Sequence, residues 1–144
     1  MTAVTASLAL ETRGNDHILD LTAEIRRIVA ESGVTTGQLV AMVVGSTASL
    51  TTLEFEPGLV RHDLAAALER VAPRDGAYEH EKTWHDDNGH SHVRAAILGP
   101  SIALPIVDGD VPLGTWQQVV LVDFDTGRRR RTVIVSIVGA GKIG

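Results

Sequence analysis

The sequence predicts an α+β domain with a largely antiparallel sheet system, and two observations support this fold class. Helical periodicity lies between strand-like segments mainly in the first half of the chain. From residue 101 onward the chain is strand-like, with short turns at 108–110 and 126–127. Short turns join antiparallel strands, whereas parallel strands need long crossovers. The length of 144 residues suits one domain, so we assign residues 1–144 to a single unit.

The N-terminal third predicts a strand followed by a helix. Residues 4–12 alternate between apolar and polar side chains, which is typical of a half-buried strand. Thr22 is the predicted N-cap of a helix that runs through Ser32. Gly33 is placed to end that helix in a left-handed conformation.

Two further strands and a second helix are predicted before residue 73. Residues 38–44 are nearly all apolar, which predicts a strand covered on both faces. Residues 49–55 are rich in β-forming side chains. An apolar stripe with helical spacing over 59–72 predicts a helix that Pro73 terminates.

The second half begins with a long polar segment, residues 73–92, of the kind that is more often functional than accidental. A short helix is predicted over 91–98 and a strand over 101–107. We expect a long strand over 114–124 to form a hairpin with residues 129–138. In that strand, Trp116 is predicted to fill the core.

Composition excludes several classes of site. The chain has no cysteine, which excludes disulfides, thiolate zinc sites and a cysteine nucleophile. A formal charge of -5 gives no support for nucleic-acid binding. No apolar run approaches the ~20 residues of a membrane span, and the N-terminus does not resemble a signal peptide. We therefore expect a soluble cytoplasmic protein that contacts neither nucleic acid nor membrane.

The densest set of candidate site residues is a histidine-rich window, residues 80–92, which holds four of the six histidines. His90 and His92 would share a face on a strand but point roughly 200° apart on a helix. With His80 returning as a third ligand, they would resemble a catalytic zinc site. We favour His80 and His92 as site residues. His90 is equally well explained as an ordinary loop residue, and His85 is expected to face solvent.

Carboxylates near strand ends and turns are further candidates. Glu54 is a candidate general base or metal ligand, although such residues often only mark the end of a strand. Asp86 and Asp87 belong to a predicted turn with Asn88 and Gly89, yet one aspartate could orient a histidine or hold magnesium. We select Asp87.

Candidate phosphate contacts lie in three other segments. Ser46 and Thr47 follow a buried strand in a hydroxyl-rich loop, which lacks the ending of a P-loop. The arginine run 128–131 is most simply a charged strand end, with one or two side chains available for phosphate. Gln117 could bind a ligand or cap a neighbouring strand.

Two adjacent stretches carry a resemblance to a known family. Residues 101–109 (SIALPIVDG), followed by 114–119 (GTWQQV), resemble the signature of the YjbQ family. The similarity extends over roughly residues 5–139 and includes Ser46 to Thr51, Glu54, His80 and His92. One position departs from it: many members carry a histidine where this chain has Gly45. His90 is a candidate replacement for that histidine.

The resemblance implies a YjbQ-like β-sandwich of mainly antiparallel strands with two helices, assembled as a homotrimer. It also implies a secondary thiamine-phosphate synthase activity, in which a pyrimidine-methyl diphosphate alkylates a thiazole phosphate and releases pyrophosphate. Either a divalent metal, zinc or magnesium, or arginines would neutralise the leaving diphosphate, and no organic cofactor is expected. The expected residues are Glu54, Asp87, His80 and His92 for catalysis, Ser46, Thr47, Arg94, Ser101 and Gln117 for the phosphorylated substrate, and His80, His92 and His90 for the metal.

Two alternatives use the same residues. A metal-dependent hydrolase would employ water as the nucleophile and need no second organic substrate. A trimeric ligand-binding protein without turnover would fit the lack of an obvious nucleophile and base pair.

Overall fold

The structure, a computed structural model, describes residues 1–141 and contains two antiparallel sheets. The larger sheet has the order β1-β7-β3-β5, formed by β1 (Thr2–Thr12), β7 (Arg129–Gly141), β3 (Val34–Val44) and β5 (Ser101–Val107). The smaller sheet has the order β2-β6-β4, formed by β2 (His17–Asp20), β6 (Gln118–Asp123) and β4 (Ala48–Leu53). Neighbouring strands are antiparallel throughout both sheets, which confirms the predicted fold class.

The helical segments are α1 (Thr22–Ser32), α2 (Leu64–Val71), α3 (Glu81–Trp84) and α4 (Gly89–Leu98), with a π-helical turn, Leu59–Asp63, leading into α2. Gly33 ends α1 with φ 69°, as predicted. Thr22 is not its N-cap. Instead, the Thr22 hydroxyl accepts a hydrogen bond from the Val119 amide at 3.0 Å, and Asp20 accepts from the Thr22 amide at 2.9 Å. No helix in the described part of the chain is long and apolar enough to cross a membrane.

The main core lies between the two sheets. Leu39 of β3 and Val135 of β7 pack in the same buried cluster as Leu50 of β4 and Leu121 of β6. A second cluster covers the other face of the smaller sheet, where Val120 and Val122 of β6 meet Leu68 of α2, Ala95 of α4 and Phe124. Strand β6 is therefore buried on both faces, and the layers are large sheet, small sheet and helices.

Among residues 1–141, nothing covers the outer face of the larger sheet along β3 in this way. Val40, Met42 and Val44 of β3 are 43%, 43% and 51% exposed, because alternate residues of a strand face opposite sides of its sheet. The prediction that residues 38–44 are covered on both faces is thus wrong for the single chain. An apolar strip is left on its surface.

The predicted hairpin between 114–124 and 129–138 is also wrong. Both edges of β6 are occupied, by β2 and β4, so the chain crosses to the larger sheet and β7 pairs with β1 and β3. Residues 114–117 form a turn before β6, and Trp116 is exposed rather than part of the core. The crossing at residues 124–128 brings polar side chains of β6 and β7 next to one another.

Candidate functional site

Helix α4 begins inside the histidine-rich window and separates two of its histidines. Residues two apart on a helix point roughly 200° from each other. His90 accordingly faces inward and is 1% exposed, with its ring 6.4 Å from that of Tyr78. His92 points the other way and lies against His80. The strand arrangement in which His90 and His92 share a face does not occur.

His80 and His92 form an imidazole pair, with ring centroids 4.4 Å apart and ring planes inclined by 48°. An Asp86 carboxylate oxygen lies 3.5 Å from Nε2 of His80. With its NH2 group toward Asp86, the Asn88 amide donates to that carboxylate at 2.9 Å and to His80 Nε2 at 3.1 Å. The Asn88 amide can bind Nε2 of His80 when that nitrogen is an acceptor, and the Asp86 carboxylate can bind it when that nitrogen carries a proton.

The loop between α3 and α4 is fixed by one carboxylate. Glu81 accepts hydrogen bonds from the backbone amides of Asp87 and Gly89, each at 2.7 Å. A negative charge at the start of a helix is also favourable for the helix dipole. Residue 89 must be glycine here, since a Cβ would lie 2.5 Å from Cβ of Tyr78. These contacts hold Asp86 and Asn88 beside His80.

A buried polar network lies behind Asn88. In the opposite orientation of the Asn88 amide, its NH2 group donates to an Asp125 carboxylate oxygen at 3.5 Å. The Thr47 hydroxyl donates to Asp125 at 2.9 Å and accepts from Nη2 of Arg131 at 2.7 Å. Thr47 thus contributes its hydroxyl to the protein interior, while the neighbouring Ser46 is exposed.

Arg131 is anchored to the end of β6. Its Nε and Nη2 donate to the two carboxylate oxygens of Asp123 at 2.6 and 2.8 Å, and the Thr12 hydroxyl donates to Asp123 at 2.6 Å. Burial alone would raise the pKa of Asp123, but the hydrogen bonds from Arg131 and Thr12 outweigh it and lower the pKa. The pKa of Asp125 is likewise lowered, because backbone and side-chain hydrogen bonds from Thr126 and Thr47 exceed the effect of burial. Both carboxylates are therefore held ionised.

Gly45 lies at the open side of this network. A Cβ added to Gly45 would be 2.9 Å from Nη1 of Arg131, and its φ of 138° disfavours other residues. Arg131 thus occupies the space that a larger side chain at position 45 would enter. A guanidinium group lies beside Gly45, whereas His90 is buried and only 1% exposed, so the structure gives no support for His90 as the replacement.

Arg94 was expected to contact phosphate, and the structure corrects this. Its guanidinium is fully buried, donates twice to Asp16 at 2.9 Å and once to Glu69 at 2.6 Å, and its Nε donates to the Ala72 carbonyl at 3.0 Å. These bonds occupy the guanidinium, so Arg94 stabilises the packing of α2 and α4 against the 14–16 turn.

The metal set expected from His80, His92 and His90 does not form in one chain. Among residues 1–141, no group of three or more histidine and carboxylate side chains is arranged to hold a metal ion. His90 Nε2 is 3.2 Å from the Ser91 hydroxyl, and its Nδ1 is buried without a hydrogen-bond partner. Burial, with the charges of Arg94 and Arg74, lowers the pKa of His90. It is therefore a neutral interior residue.

The other expected residues are scattered around the domain. Glu54 is exposed after β4 and lines a cleft of about 490 Å³ with residues 114–117. In that turn, Gln117 accepts from the Gly114 amide at 3.1 Å and donates to the Thr52 hydroxyl at 3.0 Å. Ser101 is exposed at the start of β5. The roles of Glu54 and Ser101 stay predictions.

Asp87 is exposed and lines a cleft of about 510 Å³ that does not include the imidazole pair. Its neighbour Asp86 is the aspartate beside His80. The choice of Asp87 over Asp86 is therefore not supported by the geometry.

Several polar residues near the pair were not selected from sequence. Asp123 and Asp125 are carboxylates at the end of a buried strand, the kind of position at which Glu54 was selected. Arg131 was hidden in a run of four arginines, and Asn88 in a plausible turn. Only the crossing between the two sheets shows that these residues belong together.

The sequence matches a known protein family. The model of the UPF0047 protein YjbQ-like family matches residues 6–140. A UPF0047 protein of Methanothermobacter thermautotrophicus is 33% identical over 139 residues, covering 96% of this chain and 94% of the relative.

Solved structures agree with the sequence relatives. A YbjQ-like protein of unknown function from Sulfolobus solfataricus superposes with a TM-score of 0.85 at 28% identity, covering 96% of this chain and 99% of that one. A yjbq/upf0047 family protein from Clostridium acetobutylicum superposes with a TM-score of 0.83 at 34% identity, covering 92% of this chain and 99% of that one. The architecture described above is thus shared across these proteins, and the chain belongs to the YjbQ (UPF0047) family.

Proposed function

We propose that this chain is an enzyme acting on small phosphorylated molecules, with a thiamine-phosphate synthase-like reaction as the specific activity. The observation that carries the proposal is the His80–His92 pair beside Asp86 and Asn88. Two adjacent imidazoles with a carboxylate are a common means of moving protons and binding phosphate near neutral pH.

The proposed reaction breaks the bond between the methylene carbon of the pyrimidine-methyl diphosphate and its bridging oxygen. A new bond forms from that carbon to the ring nitrogen of the thiazole phosphate, and pyrophosphate leaves with the bonding electrons. The main demand on the protein is to stabilise the negative charge that develops on the leaving group. His80 and His92 would donate hydrogen bonds or a proton to it. Asp86 and Asn88 would hold the His80 ring, as such partners do for other functional histidines.

Arg131 and Ser46 are additional candidates for phosphate contact. Nη1 of Arg131 takes part in none of the hydrogen bonds that fix Nε and Nη2. It lies at the exposed Gly45–Ser46 backbone. A guanidinium held by its other nitrogens is well suited to bind an anion, because little side-chain entropy remains to be lost.

The divalent metal implied by the family resemblance does not fit the residues of one chain. His80 and His92 could offer two nitrogens, but a catalytic zinc site normally has three protein ligands. No step of the proposed reaction is therefore assigned to a metal.

We also propose that the chain assembles as a homotrimer. The apolar strip of Val40, Met42 and Val44 supports a partner on the larger sheet, since exposed apolar patches commonly mark interfaces. The imidazole pair lines none of the three clefts of about 850, 510 and 490 Å³. A neighbouring subunit would supply the enclosure that a substrate site needs.

The function is tested by incubating the purified protein with both precursors and measuring thiamine phosphate, with and without added magnesium or zinc. We expect His80→Gln and His92→Gln each to lower the rate by about 10²-fold or more, the usual range for loss of a general acid–base group. His85→Gln is the matched control because His85 is exposed on the same loop.

Absence of thiamine phosphate above background under all these conditions would refute the synthase reaction. Release of phosphate or pyrophosphate without the thiazole substrate would identify the hydrolase alternative instead. An equal loss of activity in His85→Gln and His80→Gln would show that the activity does not depend on the imidazole pair.

A further inference from the structure

A cleft of about 850 Å³ lies between the turn at residues 13–16, strand β2 and the segment 55–65. Its volume is within the roughly 300–1,000 Å³ typical of small-molecule sites. Neither His80 nor His92 lines it. The cleft is therefore separate from the site described above, and nothing so far assigns it a role.

The opposite charges that line the cleft are not paired with one another. Its two acidic groups are already satisfied: Asp16 pairs with Arg94 at 2.9 Å and Arg74 at 3.3 Å, and the Glu56 carboxylate accepts from the backbone amides at the start of the π-helical turn. Arg13 and Arg61 also line the cleft, and within residues 1–141 neither guanidinium has a carboxylate partner. Glu56 keeps its charge, but its carboxylate oxygens are held by backbone amides, so both guanidinium groups remain available to an anion.

His17 adds a neutral hydrogen-bond donor. Its Nδ1 accepts from the Arg13 backbone amide at 3.0 Å, so the ring proton of the neutral form resides on Nε2. Burial, and next the charge of Arg13, lowers the pKa of His17. Near neutral pH the ring therefore donates through Nε2 without adding a charge.

The remaining wall is apolar. Leu19, Pro57 and Val60 line it, and Phe55 is 42% exposed there. An exposed aromatic ring at a cleft edge provides a surface on which a flat ring can pack. The cleft therefore combines an apolar wall with a cationic one, the combination typical of sites for amphipathic small molecules.

The end of the cleft is rigidly built. Gly14, Asn15 and Asp16 have successive φ values of 68°, 53° and 65°, in the left-handed region that non-glycine residues seldom adopt. The Asn15 amide donates to the Asp125 carbonyl at 2.6 Å, and its side chain donates to the Thr126 carbonyl at 3.2 Å. A Cβ on Gly14 would lie 2.3 Å from the Gly127 carbonyl oxygen. Glycine, asparagine and aspartate adopt this conformation more readily than other residues, and these contacts fix the turn in one shape.

We propose that this cleft binds a small molecule that carries an anionic group on a flat apolar ring. Arg13 and Arg61 bind the anion, His17 donates a hydrogen bond to it, and the ring packs against Phe55. Because the turn at 13–16 is already ordered, binding costs little conformational entropy. The proposal does not depend on the synthase reaction.

Isothermal titration calorimetry with phenyl phosphate tests the proposal, with phenol and inorganic phosphate as separate half-ligands. We expect saturable binding of phenyl phosphate that is at least tenfold tighter than either half-ligand and that weakens with added salt. Arg13→Gln and Arg61→Gln should each weaken it about tenfold or more, as expected for a lost charge-assisted hydrogen bond. Phe55→Ala should weaken the binding of phenyl phosphate until its affinity is close to that of inorganic phosphate.

Arg27→Gln is the matched control, because Arg27 is an exposed arginine of α1 outside the cleft and the change in charge is the same. His80→Gln separates this site from the proposed active site and should leave binding unchanged. Three results would overturn the proposal. The first is that phenyl phosphate shows no saturable binding up to about 10 mM, a practical limit near the weak end of ligand affinity. The second is that Arg27→Gln weakens binding as much as the cleft variants do, and the third is that His80→Gln abolishes binding while the cleft variants leave it unchanged.

Discussion

Replacing Arg94 by methionine should destabilise the protein strongly, because it removes one partner of a buried ion pair and leaves the other in place. Methionine keeps most of the side-chain volume, so the change chiefly removes the guanidinium. The sequence alone suggested a phosphate contact at this position, for which a loss of substrate binding rather than of stability would be expected. The substitution therefore distinguishes the two roles.

The expected loss in the free energy of unfolding depends on which partners of Arg94 are shielded from water. The Asp16 side chain is 9% exposed and would keep only Arg74, at 3.3 Å, whereas the Glu69 side chain is 48% exposed and can return to solvent. The Ala72 carbonyl would also lose its bond from Arg94 Nε. Breaking a buried pair by removing one partner costs about 3–5 kcal/mol. Since Arg74 and water can partly compensate Asp16, we expect about 3 kcal/mol, the low end of that range.

Urea unfolding at pH 7, followed by circular dichroism, measures this change in the free energy of unfolding. Arg70→Met is the control, because Arg70 is an exposed arginine of α2, and it should stay within about 0.5 kcal/mol of the parent. Adding Asp16→Asn to Arg94→Met should recover part of the loss by removing the unpaired charge. If Arg94→Met unfolds like Arg70→Met, the buried ion pair contributes nothing and the reasoning fails.

Two further predictions concern the carboxylates of β6 and the apolar strip. Because the pKa of Asp123 is lowered in the folded state, its ionised carboxylate stabilises the fold fully above the ordinary pKa of 3.8, and this stabilisation is lost as pH falls through the lower folded value. In urea unfolding between pH 6 and pH 2.5, the free energy of unfolding of Asp123→Asn should therefore fall less steeply with decreasing pH than that of the parent. The same pH dependence in both proteins would contradict this. Met42→Glu should convert the proposed trimer to a monomer, as measured by light scattering at micromolar concentration. Ser136→Glu is the control and should have a smaller effect, because Ser136 is an exposed residue of β7 that is already polar. A parent protein that is already monomeric would refute the assembly.

Local sequence signals predicted most of the elements because those signals are set by neighbouring residues. The alternation over residues 4–12 corresponds to β1, and the glycine at position 33 to the end of α1. Strand β2 was missed because four residues are too few to show alternation. The hairpin was predicted wrongly because sequence proximity favours β6 pairing with β7, while both edges of β6 are taken by more distant strands.

The candidate site was predictable only in part. His80 and His92 were selected, and the structure brings their rings together. Asn88 and Asp86 were seen as turn residues, which they also are, and their position beside His80 depends on the two bonds that Glu81 makes to the following loop. His90 could not be excluded from sequence because its orientation depends on whether the helix begins before or after it.

The crossing from β6 to β7 gives one physical reason why the two proposed sites occur near each other. The backbone carbonyl of Asp125 accepts from Asn15, which shapes the end of the anion cleft. Its carboxylate lies 3.5 Å from the amide of Asn88, the residue beside His80. A polar residue that leaves a buried strand must have its hydrogen bonds satisfied inside the protein. Asp125 meets that requirement with partners from both sites, so a substitution there should disturb both, whereas substitutions at Arg61 and His80 should act on one site each.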